Sequence, residues 1–179
     1  MAGTLSAKGT GHPGHGLLGI YLNDHLAGAT GGVELARRAA AARRGGEAGE
    51  ALRRFAAEVA ADRAALLDIM ATLGVPVRAY KVCAGWVGEK AGRLKLNGRL
   101  LARSPLSSLE ELELMRLGVT GKAAGWRTLR FLAEADPRLD GGRLDELLAR
   151  AGSQLELLEE LRVRATRAAF GQGPAAGSS

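Results

Sequence analysis

Four stretches of this chain carry apolar residues at alternating spacings of three and four, and the breaks between them are unequal. The first runs from about Leu17 to Arg44, with Leu18, Leu22, Leu26, Ala29, Val33, Ala36 and Ala40 on one face. The second, Glu47 to Leu73, has the cleanest seam: Leu52, Phe55, Val59, Asp62, Leu66, Ile69 and Leu73. A third, to about Ala135, presents Leu112, Met115, Val119, Lys122, Trp126, Leu129 and Ala133. The fourth, Arg143 to Phe170, presents Leu144, Leu148, Ala151, Leu155, Leu158, Leu161 or Arg162, and Ala165. Such spacing puts one apolar face on each helix, as in a bundle. Gly45-Gly46 and Asp136 to Gly142 are short breaks and predict antiparallel hairpins. The middle break, Gly74 to Pro105, is long. It opens with Gly74 and Pro76, the usual order at a helix end, and closes on Ser104-Pro105, an N-cap followed by proline at the first helical position.

A helix of about 26 residues is roughly 39 Å long, a span that a connection of this length covers. The expected fold is therefore all-α: a four-helix bundle of two antiparallel hairpins joined by a long crossover, with helices 2 and 3 parallel. Within the crossover, Ala79 to Leu94 is expected to form a short extra helix with Tyr80, Cys83, Trp86 and Val87 inward. Sparse aromatics, 4% of the chain, and abundant Ala, Leu, Arg and Glu agree with helices and no sheet. Residues 1–16 and 171–179 are Gly-rich or small and polar, so both are expected to be disordered around one domain, 17–170. A single cysteine makes no internal disulfide, and no secretory leader pattern or membrane-length apolar run is visible. These features lead to an expectation of a cytoplasmic protein. Five Lys among 25 Lys and Arg, with much Ala and Gly, point to a GC-rich, bacterial gene as much as to binding.

With two hairpins and one long crossover, residues 17–170 resemble the ferritin-like superfamily. Its metal-binding members supply a Glu from each of two helices and a Glu-x-x-His from each of the other two. The histidines here are His12, His15 and His25, so neither helix 2 nor helix 4 has one; Glu58 is followed at three by Ala61, and Glu156 by Glu159. The resemblance thus implies the fold without the oxidase, iron-storage or peroxide chemistry.

Asp62 and Lys122 each interrupt an apolar seam near the middle of a helix, and the crossover topology sets them at similar heights. Buried unpaired charges are costly, so the two are expected to pair in a polar layer with His25 and Gln154. His25 lies about as far before the hairpin turn as Asp62 lies after it, which would also suit a His–carboxylate pair. Glu34, Glu58 and Asp62 could hold a metal, but no partners stand at motif spacing, and His12 and His15 lack neighbouring carboxylates or cysteines; no metal site or cofactor is expected. Gly118 to Ala123 is no phosphate loop: Arg116 and Ala123 occupy required Gly and Ser/Thr positions. Cys83 beside Trp86 reads as a buried small hydrophobe.

The crossover carries Arg78, Lys81, Lys90, Arg93, Lys95, Arg99 and Arg103 against Glu89, an excess equal to the chain's net +6. Such a cluster suits phosphates or an acidic protein, though without a DNA-binding motif and with only Tyr80 and Trp86 for stacking, nucleic acid is not favoured. Three readings follow in order: a non-enzymatic bundle acting by binding, which could be a homodimer; a degenerate ferritin-like metal enzyme; and a nucleic-acid or anion binder through residues 78–103. No catalytic residue, substrate or definite partner can be named from the sequence.

Overall fold

The computed structural model describes residues 13–43, 45–78 and 104–171. They form four helices: α1 Pro13–Ala42, α2 Gly46–Thr72, α3 Pro105–Leu132 and α4 Gly141–Phe170. No strand occurs among the described residues. The expected short helix at 79–94, with Tyr80, Cys83 and Trp86, and six of the basic candidates (Lys81, Lys90, Arg93, Lys95, Arg99 and Arg103) lie outside them. Of that group only Arg78 is described.

Local chemistry sets the helix ends. Ser104 caps α3 by accepting from the Ser107 amide at 3.1 Å, and Asp140 caps α4 by accepting from the Arg143 amide at 3.1 Å. These are the side-chain acceptors that unpaired first-turn N–H groups require. At the end of α2, Gly74 takes φ 69 while its amide donates to Ala71 and the Val75 amide donates to Met70, a Schellman arrangement. α1 begins at Pro13, four residues before the start expected from periodicity; proline is tolerated there because a first-turn N–H has no helical partner.

The two hairpins α1–α2 and α3–α4 provide the closest packing, with α1 against α3 and α2 against α4 closing the bundle. Side-chain pairs fix the directions. Tyr21 near the start of α1 meets Thr128 near the end of α3, so these two are antiparallel. Arg138, in the α3–α4 loop, donates to the Leu73 carbonyl, and Arg143 meets Asp68, so α2 ends where α3 ends. Helices α2 and α3 are therefore parallel, as two hairpins joined by a crossover require. At the other end Arg164 reaches Glu47 at 3.2 Å.

The expected seams face inward on α1, α2 and α3, apart from half-buried positions at the ends of α1 and α3 and at Ala29 and Lys122. On α4 the inward face is rotated: Leu147 and Gln154 are buried, and Leu148 and Leu155 are half-buried. The core has two apolar clusters. One, toward the α1–α2 turn, centres on Leu52, Phe55, Val59, Met115 and Leu158; the other holds Leu22, Leu26, Leu66, Met70, Trp126 and Leu144. Each buried side chain of this size favours folding by about 1.5–3 kcal/mol. On α2 the boundary between clusters falls at Asp62, and on α3 Lys122 lies beside Ala123, the last α3 residue of the first cluster.

Candidate functional site

At that boundary α2, α3 and α4 each contribute polar groups. Asp62 is only 1% exposed, having been carried inward by the apolar seam on either side of it. Lys122 Nζ, on α3, donates to Asp62 Oδ2 at 2.5 Å and also to Gln154 Oε1. From α4, Arg150 donates to Asp62 Oδ1 at 2.8 Å. Gln154 Nε2 donates to Asp62 Oδ2 at 3.2 Å and to Glu58 Oε2, one turn back on α2, at 3.0 Å. The Gln154 amide thus turns its oxygen toward the ammonium and its nitrogen toward two carboxylates. Two anions face two cations, and the layer is neutral as a whole.

Burial pushes the Lys122 ammonium below its ordinary pKa, while the Asp62 carboxylate, through charge and hydrogen bond, and the Glu58 charge pull it back up; Arg150 adds to the lowering. Taking these charges out of water costs several kcal/mol per ion, and only good geometry repays it. The hydrogen bonds supply that geometry. Chemically, an ammonium held by a carboxylate and an amide oxygen is an ion-pair partner and not a free nucleophile.

His25 is not part of the layer. It faces α3, where Gly125 leaves room for the imidazole: a Cβ built there would stand 3.0 Å from both His25 Cε1 and Nδ1. The ring lies edge-on to Tyr21, with centroids 4.4 Å apart. Burial lowers its pKa, and the charge of Asp24 opposes that shift. The expected His25–Asp62 pair does not form, because Asp62 spends its oxygens on Lys122, Arg150 and Gln154. Arg78 uses its backbone amide, donating to Asn23 Oδ1 at 2.7 Å.

Comparison with protein-family models, with curated proteins and with solved structures finds no match. Nothing ties the bundle to the ferritin-like superfamily beyond its topology. Among the described residues no group of three or more His, Cys, Asp or Glu is placed to hold a metal ion, so Glu34, Glu58 and Asp62 form no such set. No described helix is long and apolar enough to cross a membrane.

Three residues escaped sequence reasoning or were given another role there. Glu58 was weighed only as a metal ligand, although it lies one turn from Asp62. Arg150 lies off the α4 seam and reaches inward along its aliphatic stem, for which no periodic signal exists. Asn23 is 1% exposed; its Nδ2 donates to the carbonyls of Gly19 at 2.8 Å and Pro76 at 3.1 Å, while its Oδ1 receives the Arg78 amide. It ties residues 76–78 to α1. A polar residue beside the Leu22 and Leu26 pair was the available sign.

Proposed function

We propose that this chain is a non-enzymatic helical-bundle protein that acts by binding through its surface, with the charged layer serving structure. The observation that supports this reading is the closure of the layer: Asp62, Lys122 and Gln154 are consumed by one another and by Glu58 and Arg150. Two surface depressions, one at Arg37, Ala40, Ala41, Arg53 and Ala56 and one at the α3–α4 loop, are lined by other residues. A buried constellation with its donors and acceptors paired specifies packing and offers nothing to a substrate. The single cysteine fits a cytoplasmic setting.

The ferritin-like topology keeps a second reading, a metal-binding bundle with altered ligands. Elemental analysis of protein purified without added metal separates the two. Substoichiometric iron, manganese and zinc are expected; one or two equivalents of any of them that survive dialysis would overturn the binding-only reading. The cluster of basic residues in 78–103 supports a third, anion binding, read out as salt-dependent retention on DNA that is lost on charge reversal at Arg93, Lys95 and Arg99.

A further inference from the structure

The arginines of the two hairpins are mostly treated differently. On α3–α4, Arg116 meets Glu159, Arg130 meets Asp145 and Arg162 meets Glu159, while Arg127 and Arg167 are exposed without an ion pair among the described residues. On α1–α2, Arg37, Arg38 and Arg54 are exposed and make no ion pair among the described residues, and Arg53 reaches only Glu50 at 3.8 Å. Between Arg37 and Arg53 runs an open groove of about 400 Å³ floored by Ala40, Ala41 and Ala56. Small side chains there let another helix approach closely, with cations on both banks.

The complementary surface is present on the same molecule. The outer face of α4 exposes Ala149, Gly152 and Ser153 and, continuing along the same face at helical spacing, Glu156 and Glu160. Neither glutamate has an ion-pair partner among the described residues. We propose that the α1–α2 groove receives α4 of a second copy: the small ridge Ala149–Gly152–Ser153 settles over the alanines, and Glu156 and Glu160 meet Arg37 and Arg53. The proposal deepens the binding reading above by naming its partner as the chain itself. Surface ion pairs alone hold little, so the alanine floor must contribute and the association weakens with salt. Because unlike faces meet, two copies can close the contact reciprocally about a twofold axis, or copies can run on head-to-tail.

Sedimentation velocity of the full chain over a wide concentration range tests this at low and at physiological salt. The mean mass should rise above that of the monomer, and more steeply at low salt. Arg37→Glu/Arg53→Glu and, separately, Glu156→Arg/Glu160→Arg should each weaken association at least tenfold, and mixing the two variants should restore it. Both pairs are exposed, so circular dichroism melting should be unchanged and excludes misfolding as the cause. A monomer at every concentration, indifference to the reversals, or no restoration on mixing would each overturn the proposal. A metal-free monomer would sink it while leaving the broader binding reading in place.

Discussion

The α1–α2 hairpin packs with alanine and glycine where the α3–α4 hairpin packs with leucine and ion pairs, and their surfaces differ accordingly. At the α1–α2 turn, a Cβ on Gly49 would stand 2.3 Å from the Arg43 carbonyl oxygen, so the backbones approach too closely for any side chain there. Along this hairpin Arg37, Arg38 and Arg54 have no acid across from them among the described residues. On α3 and α4, Glu159 meets Arg116 across the interface and Arg162 one turn along its own helix, and Asp145 meets Arg130. The difference teaches that an acid across the interface or one turn away neutralises an arginine in place, whereas beside alanines the charge stays with solvent. Charged contacts join the hairpins at Glu47–Arg164, at the layer around Asp62 and at Asp68–Arg143; only the layer is buried, and it offers the sharpest way to break them apart.

Asp62→Ala should have the largest effect. It leaves Lys122 and Arg150 without their carboxylate, and removing one member of a buried pair costs about 3–5 kcal/mol. Chemical denaturation reads this directly; a loss below about 1 kcal/mol would mean the layer holds nothing together. Lys122→Met should also destabilise, and the Asp62→Ala/Lys122→Met double variant should recover part of the summed loss, with a coupling of roughly 0.5–3 kcal/mol. Strict additivity would deny that the two groups depend on each other.

Asn23→Ala tests a contact within the first hairpin and its exit. It strips the Arg78 amide and the Pro76 carbonyl of their partner, for an expected loss of about 1–3 kcal/mol. Hydrogen exchange should localise the change to residues 75–78; protection unchanged there would deny the tie. At Gly125, alanine gains about 1 kcal/mol in helix propensity but presses on His25, so Gly125→Ala should be neutral or destabilising. In a His25→Ala background the same change should turn stabilising, and the same sign in both backgrounds would count against the contact. Arg130→Ala, removing an exposed pair on the α3–α4 surface, should cost less than about 1 kcal/mol.

Acidity offers a finer probe of the α1–α3 contact. His25 has a folded pKa below its unfolded value, so the unfolded chain binds the proton more readily. Its contribution is full above the unfolded pKa and falls as pH drops through the window below it. Stability profiles of the wild type and His25→Gln should therefore converge at acid pH and separate toward neutrality. Parallel profiles would deny the linkage.

Asp62 and Lys122 were legible in the sequence because a charge in an apolar seam has nowhere to go but another charge. The two hairpins and the parallel second and third helices were legible from the unequal breaks. On helix α4 the pattern places Leu144, Ala151, Leu158 and Leu161 correctly and is one position off at two steps, Leu148 for Leu147 and Leu155 for Gln154, because leucines at 147, 148, 155, 157 and 158 offer two overlapping stripes. Arg150 was invisible for a related reason: its Cα is off the seam and only its guanidinium arrives. His25 went astray because sequence distance from a turn gives height along a helix but not the direction a side chain faces.

The layer also has a sense of ownership. Both of its acids, Glu58 and Asp62, come from the first hairpin, and both of its cations, Lys122 and Arg150, come from the second. Two first hairpins mated through this face would trap carboxylate against carboxylate, and two second hairpins would trap cation against cation. If the chain were severed between residues 78 and 104, the halves would thus be complementary fragments, each a poor partner for itself. The Asn23 tie would travel intact with the first.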